Sequence, residues 1–154
     1  MSGTKMKKPV SLYILLFLLF FQAISGFAGG FGMISNPSGS AMQLPISLLE
    51  NSPFKNFLIP GIILLILLSI FPAITFYGII KQPDWRWSEH INIYDDKHWS
   101  WTWSLYIGIT LIIWITVQSA LIGGGHVLQT IYDFVGILLV IFTLIPSVQK
   151  YSQK

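Results

Sequence analysis

The sequence predicts an all-α integral membrane protein, a bundle of four transmembrane helices with a long ordered outer loop between helices 1 and 2. Hydrophobic residues make up 53% of the 154 residues and charged residues only 10%, whereas soluble domains carry about 25% charged residues. The apolar residues are also concentrated in four segments, each long enough to cross about 30 Å of hydrocarbon. We therefore treat residues 1–154 as a single four-span membrane domain.

The first span is predicted over residues 10–28, an uncharged segment that follows the basic start Lys5, Lys7 and Lys8. A cleavable signal peptide is the alternative, because a basic start followed by an apolar segment and small residues also fits one. The apolar segment is longer than the usual core of a signal peptide, which favours a retained helix. Gly26 and Gly30 are four residues apart, a spacing that suits close packing against another helix.

Residues 29–56 separate the first span from the second and are rich in turn-forming residues, including the Asn36-Pro37-Ser38-Gly39 sequence. A flexible linker would be polar, whereas this segment carries several apolar residues that need a surface to pack on: Met42, Leu44, Leu48 and Leu49. We therefore expect an ordered cap on the outer end of the bundle. A short helix is predicted over residues 46–50, and Ser52-Pro53 predicts the start of another.

The remaining spans are predicted over residues 57–80, 99–122 and 127–148, with a kink near Pro72 and a helix end near Pro146. The short 123–126 turn makes the third and fourth spans antiparallel neighbours. Between the second and third spans lies the most charged segment, 81–98. The five tryptophans that bracket it predict an aromatic belt at the membrane surface: Trp85, Trp87, Trp99, Trp101 and Trp103.

The distribution of basic residues predicts the orientation. With the N-terminus inside, the outer side holds only Lys55 of the nine Lys and Arg residues. All the others fall on the inner side: Lys5, Lys7, Lys8, Lys81, Arg86, Lys97, Lys150 and Lys154. Cytoplasmic loops carry the excess of Lys and Arg in membrane proteins. We therefore expect a multi-pass protein of the cell membrane, with both termini cytoplasmic and loop 29–56 outside.

Several short motifs resemble those of a group of membrane proteins. They are Asn36-Pro37-Ser38-Gly39, Leu44-Pro45, Ser52-Pro53-Phe54, Leu58-Ile59-Pro60-Gly61, Trp114-Ile115-x-x-Gln118 and Leu144-Ile145-Pro146. The chain is similar in these motifs to uncharacterised small prokaryotic proteins with four transmembrane helices. The resemblance implies the four-span architecture and carries no activity and no site residue.

The sequence excludes several classes of chemistry. It contains no cysteine, which excludes disulfides, iron–sulfur clusters, thiolate zinc sites and cysteine nucleophiles. It has no phosphate-binding loop, dinucleotide fingerprint or nucleophile elbow. The charged residues of segment 81–98 lack the spacing of a metal site and are expected to be solvated: Glu89, His90, Asp95, Asp96 and His98. We predict no catalytic residue, metal or cofactor, and no nucleic-acid partner, because the basic residues form no patch.

A polar layer beneath the predicted cap is the candidate binding site. Asp133 is the only ionisable residue within a predicted span, and such residues are functional hypotheses by default. The other members of the layer come from three spans and the turn before the fourth: Gln22, Gln118, His126 and Gln129. We expect Asp133 to face the bundle interior, within reach of Gln118 or Gln22. The layer is either a cavity that binds a solute or proton, or a hydrogen-bonded cluster that fixes helix packing.

Three functions are compatible with these features. The first is a non-enzymatic membrane module that acts by self-association, as a homo-oligomer, or by association with a larger membrane partner in the lipid bilayer. The small-residue face of helix 1 and the absence of catalytic motifs favour it. The alternative is a small solute or proton transporter or channel subunit that uses Gln22, Gln118 and Asp133. The third is an enzyme acting on lipid, with His126 and Asp133 as its acid–base pair.

Overall fold

The computed structural model describes residues 6–154 and confirms the all-helical fold. Helix accounts for 73% of these described residues, which form no strand. Among them, four helices are long and apolar enough to cross a membrane. They are α1 (Val10–Ser35), α2 (Leu58–Lys81), α3 (Trp99–Ile122) and α4 (Val127–Leu144). The chain is therefore a multi-pass membrane protein by the length and composition of its helices.

The four helices pack in a ring in which α1 contacts α2 and α4, and α3 contacts α2 and α4. The α3–α4 pair is the antiparallel neighbour pair that the short 123–126 turn predicts. Its backbones approach closely, since a Cβ atom on Gly108 would lie 3.1 Å from the Gly136 carbonyl oxygen. Fully buried leucines from all four helices fill the centre: Leu12, Leu15, Leu19, Leu68, Leu111 and Leu139.

Helix α1 continues to Ser35, past the expected end of the first span at residue 28. The extension packs against the start of α2 through glycines that bring the two backbones together. A Cβ atom on Gly30 would lie 2.9 Å from the Gly61 carbonyl oxygen. The loop between these helices therefore begins at residue 36 rather than 29, and we call residues 36–57 the 36–57 loop.

The expected kink near Pro72 takes the form of a π-helical turn over Ile66–Ile70. Proline has no backbone N–H, so the Leu68 carbonyl, four residues before Pro72, lacks its usual helical donor. The side-chain Nε2 of Gln22 donates to that carbonyl at 3.1 Å. Ser69 Oγ donates to the Ala23 carbonyl at 2.7 Å, so two hydrogen bonds join α1 to the irregular turn of α2.

Pro146 ends α4 as predicted, at Leu144 rather than at the expected residue 148. A separate short helix, Pro146–Tyr151, follows. The predicted helix start at Ser52-Pro53 is wrong, because α2 begins at Leu58, whose backbone N donates to Asn56 Oδ1 at 3.0 Å. Ser52 instead donates its hydroxyl to the Leu49 carbonyl within the loop, at 2.9 Å.

The 36–57 loop consists mainly of turns. Gly39 closes the predicted four-residue turn by donating its N–H to the Asn36 carbonyl at 2.9 Å, with a positive φ of 77°. A 3-10 helix over Ile46–Leu49 occupies the position of the predicted short helix. Phe57 donates its N–H to the Pro37 carbonyl at 2.9 Å and so closes the loop on itself. The 36–57 loop and the 123–126 turn lie at the same end of the bundle, which we call the loop end.

The opposite end of the bundle, the terminal end, carries segment 82–98 and the chain's C-terminal residues. Ser11 Oγ of α1 lies 2.7 Å from Ser147 Oγ of the last helix. The His98 N–H donates to the Ser152 carbonyl at 2.8 Å, and the Lys154 N–H donates to the Asp96 carbonyl at 3.1 Å. These contacts place the start of α1 and the C-terminus side by side.

Three of the five tryptophans of the terminal end are inside the protein, which corrects the expectation of a belt. Trp99, Trp101 and Trp103 are at most 3% exposed because segment 82–98 folds back over the start of α3. The Trp85 ring stacks on Trp99 with a centroid separation of 5.4 Å. Only Trp87 of the five is mainly exposed, at 52%. Four of the tryptophans therefore pack on one another and Trp101 packs on Tyr94, rather than all five forming a lipid-facing ring.

Candidate functional site

A cavity of about 380 Å³ lies beneath the 36–57 loop, between all four spanning helices. Most of its wall is apolar, with polar side chains from Gln22, Ser25, Gln118, Gln129 and Tyr132. No charged residue is among those that line it. We call this space the glutamine cavity. Its volume falls in the range of about 300–1,000 Å³ that is usual for small-molecule sites.

A second, smaller cavity of about 120 Å³ lies directly under the loop. It is lined by loop residues that include Leu44 and Leu48, together with residues of α1, α2 and α3. The two cavities share four residues: Met33, Leu44, Trp114 and Gln118. They are adjacent parts of one apolar region, and the loop forms its cover.

Gln22 is the most buried polar group of the glutamine cavity, at 1% exposure. Its Nε2 donates to the Leu68 carbonyl. Its Oε1 is buried and has no hydrogen-bond partner among residues 6–154. A buried acceptor without a donor is costly, by about 1–3 kcal/mol. The nitrogen of the Gln22 amide is therefore hydrogen-bonded at the helix interface, and the oxygen has no partner in the described part of the chain.

Gln129 also lines the cavity, and its amide is already occupied by the turn before α4. Its Oε1 accepts the His126 backbone N–H at 3.3 Å, and its Nε2 donates to the Gly123 carbonyl at 3.2 Å. These two bonds satisfy the His126 N–H at the start of α4 and the Gly123 carbonyl at the end of α3. Gln129 thus holds the 123–126 turn in place.

The predicted polar layer is only partly assembled by the fold. Gln22, Gln118 and Gln129 line one cavity, whereas Asp133 and His126 are not among its lining residues. The buried positions of α4 are Gln129, Val135, Gly136, Leu139 and Thr143. Asp133 lies at the flank of this face and is half-buried, and His126 is exposed at the turn. The hydrogen bonds of Gln22 go to Leu68 and not to Asp133.

Three of the acidic and histidine residues of segment 82–98 make structural contacts at the terminal end: Glu89, Asp96 and His98. Within residues 6–154, no group of three or more His, Asp or Glu side chains could hold a metal ion. Glu89 Oε2 accepts from Asn92 Nδ2 and from Lys154 Nζ, both at 2.9 Å. Burial raises the pKa of Glu89, but these two donors outweigh it and the pKa lies below its ordinary value. Asp96 pairs with Lys97, whose hydrogen bond lowers the pKa of Asp96.

His98 is the N-cap of α3 and is 7% exposed. Its Nδ1 accepts the Ser100 backbone N–H at 3.3 Å, so the proton of the neutral ring sits on Nε2, which lies 3.2 Å from the Pro83 carbonyl oxygen. Burial lowers the pKa of His98, against the raising influence of that carbonyl and of Glu89 and Asp84. The site therefore holds a neutral imidazole that connects segment 82–98 to α3.

Sequence reasoning missed the link between Gln22 and the backbone of α2. Its signal was present, because Pro72 four residues after Leu68 leaves a carbonyl free within an apolar helix. It also did not identify Ser25, Trp114 and Tyr132 as lining residues. All three line the glutamine cavity.

Comparison of the chain with protein-family models, with curated proteins and with solved structures finds no match. The similarity to small prokaryotic four-helix membrane proteins therefore stays a prediction from its short motifs.

Proposed function

We propose that this chain is a non-enzymatic membrane protein that binds a small, neutral and mainly apolar molecule in the glutamine cavity. The observation that carries the proposal is the cavity itself, about 380 Å³ in volume and walled by apolar residues and a few neutral polar groups. Pockets of this composition use a small number of polar groups to orient an otherwise apolar ligand.

The absence of charge in the cavity wall favours a neutral ligand. A charged group that is buried without a partner is strongly disfavoured, and none of the lining residues could supply a counter-charge. For the same reason the cavity gives little support to proton or ion transport through Gln22, Gln118 and Asp133, since Asp133 does not line it.

The small residues of α1 pack against α2 of the same chain, so they do not support self-association. Gly26 packs against the backbone of Leu68, and Gly30 against Gly61 and Leu65 of the same chain. A homo-oligomer or a larger membrane partner would need another surface. Binding of a small molecule within the bundle is thus better supported than association with a second copy or a larger partner.

The proposal includes an orientation in the cell membrane. Seven of the eight Lys and Arg residues within 6–154 lie at the terminal end, and only Lys55 of these eight lies at the loop end. By the positive-inside rule, the terminal end is cytoplasmic and the 36–57 loop covers the cavity from the outer side.

Tryptophan fluorescence can test the proposed binding directly. Trp114 lines the glutamine cavity, whereas the other five tryptophans belong to the terminal end. A long-chain alkane with a terminal bromine, which quenches tryptophan on contact, serves as the probe in nanodiscs. The Trp114 signal is the difference between the unmodified protein and Trp114→Phe. We expect this signal to be quenched in a saturable way.

The substitution Ser25→Phe should abolish the saturable quenching, because Ser25 lines the cavity and a phenyl ring would fill part of it. Ala120→Phe is the matched control, since Ala120 is exposed on α3 and is not a lining residue. Quenching that rises linearly with the probe and is equal in all variants would show simple partition into the bilayer and would disprove binding.

A further inference from the structure

We propose that the molecule bound in the glutamine cavity is an alcohol, with an apolar body and a hydroxyl group that donates to Gln22 Oε1. This inference rests on the proposed function and adds the chemical class of the ligand. It starts from the one buried acceptor of the cavity wall that has no donor among residues 6–154.

The orientation of the Gln22 amide is fixed by the backbone of α2. The Leu68 carbonyl cannot receive a helical hydrogen bond from residue 72, because Pro72 has no N–H, and Gln22 Nε2 supplies the missing donor. Turning the amide over would place its oxygen against the Leu68 oxygen, with two acceptors facing each other. The half of the Gln22 amide that remains without a partner among residues 6–154 is therefore an acceptor and not a donor.

The neighbouring polar groups do not satisfy this acceptor. Ser25 donates its hydroxyl to the Gln22 backbone carbonyl, at 3.3 Å, rather than to the side chain. Both halves of the Gln129 amide are held by the 123–126 turn. Gln118 and Tyr132 also line the cavity, and neither donates to Gln22 Oε1. A bound molecule with a donor group would complete Gln22.

This requirement separates classes of neutral ligand. An alcohol can donate to Gln22 Oε1, whereas an ester, ketone or ether has acceptors only and would leave the carbonyl unpaired. The remainder of the wall is apolar and continues into the smaller cavity beneath the loop. A hydroxyl group at one end of an aliphatic chain fits this arrangement, with the hydroxyl at Gln22 and the chain along Trp114 towards the loop.

A pair of matched probes tests the inference. One is a long-chain alcohol with bromine at the far end of its chain, and the other is its methyl ether, which is larger by one methyl group and cannot donate. Both are titrated in nanodiscs, and quenching of Trp114 gives the apparent affinity. A net hydrogen bond changes an equilibrium by about three- to tenfold. We expect the alcohol to bind that much more tightly than the ether.

The variant Gln22→Met should bring the two affinities together, because methionine keeps the volume but removes the acceptor. Gln149→Met is the matched control. Gln149 also donates its amide to a backbone carbonyl, that of Leu144 at 2.7 Å, but at the terminal end. This variant should keep the preference for the alcohol. If Gln22→Met fails to fold, the ratio of the two affinities in the unmodified protein still decides the question.

The outcomes are distinct. Saturable binding of both probes with equal affinity would overturn the inference that the ligand is an alcohol and would leave the binding function intact. This is the result expected if an ordered water donates to Gln22. Saturable binding of neither probe would overturn both the alcohol inference and the proposed function. A preference for the alcohol that survives in Gln22→Met would also contradict the inference, since the discriminating acceptor would be elsewhere.

Discussion

At the residue scale, one backbone carbonyl determines how α1 and α2 meet. The Leu68 oxygen, left without a helical donor by Pro72, accepts from Gln22 Nε2 and lies against Gly26, one turn further along α1. Gln22 compensates for the missing N–H, and Gly26 allows the close approach that the hydrogen bond needs. A proline, a glutamine and a glycine are unusual in apolar helices. Here the proline leaves a carbonyl without its donor, the glutamine supplies a donor, and the glycine lets the two helices approach.

The substitution Gly26→Ala should destabilise the protein. A Cβ atom at this position would lie 2.1 Å from the Leu68 carbonyl oxygen, so the two helices would have to separate. We expect the free energy of unfolding to fall by about 1–3 kcal/mol, the usual cost of overpacking. Helix propensity alone predicts the opposite sign, a gain of about 1 kcal/mol. Reversible denaturation in mixed micelles measures the change.

Gly124→Ala is the control for this prediction. The nearest atom to a Cβ at Gly124 would be Ser119 Cβ at 3.9 Å, an ordinary contact distance. This variant should unfold like the unmodified protein. Equal stability of both variants would mean that α1 and α2 are further apart than the Leu68 contact requires.

At the element scale, segment 82–98 acts as a folded cover for the start of α3 rather than as a solvated connection. Asn92 is central to it, with Nδ2 donating to Glu89 and to the Lys97 carbonyl, both at 2.9 Å, and Oδ1 accepting from Thr102 of α3. Trp99 Nε1 donates to the Pro83 carbonyl at 2.9 Å. These bonds explain why polar residues of α3 are as buried as its tryptophans.

The stability of this cover should depend on pH through His98. Its folded-state pKa is lowered by burial from an ordinary value of about 6.5. The unfolded chain therefore takes up a proton first, so His98 contributes stability above pH 6.5 and loses it as the pH falls below 6.5 towards the lowered pKa. Protonation of Nδ1 would also remove the acceptor of the Ser100 N–H. Thermal unfolding between about pH 7.5 and about pH 5, a range that includes the ordinary histidine pKa, measures this loss.

The variant His98→Asn isolates the contribution of this residue. Asparagine is a good N-cap and does not titrate, so the variant should keep the cap and lose most of the pH dependence between about pH 5 and 6.5. Glu89 does not interfere, because its pKa is lowered from 4.5 and it stays ionised in this range. An unchanged slope in His98→Asn would assign the pH dependence to other groups.

At the scale of the whole molecule, the sequence was sufficient to predict the four helices but not the contacts between them. Hydrophobic segments long enough to span a bilayer are visible in composition alone, and Pro146 ends α4 as predicted. The extension of α1 to Ser35 could not be predicted from composition, because it packs through Gly30 against Gly61 and Leu65, which are distant in sequence.

The candidate site was predictable only in part for the same reason. The high cost of a charge in lipid singled out Asp133, but a position at the flank of α4 leaves it outside the cavity. The oxygen of the Gln22 amide is unpaired within the described residues because α2 binds the nitrogen of that amide through the Leu68 carbonyl. This contact is known only once the helices are packed.

The central claim is that the four helices span the membrane with the loop end and its cavity on the outer side and the terminal end on the inner side. The chain has no cysteine, so in a single-cysteine variant the introduced thiol is the only one in the protein that can be labelled. Ser38→Cys and Gly124→Cys place a thiol at exposed positions of the loop end, and Asp95→Cys places one at an exposed position of the terminal end.

Labelling of intact cells with a membrane-impermeant thiol reagent tests this claim most directly. We predict that the thiols at positions 38 and 124 react from outside and that the thiol at 95 reacts only after the membrane is permeabilised. Reaction at 95 alone in intact cells would reverse the orientation. Different sidedness for positions 38 and 124 would contradict the four-span bundle itself, because the two turns could not then lie at one end.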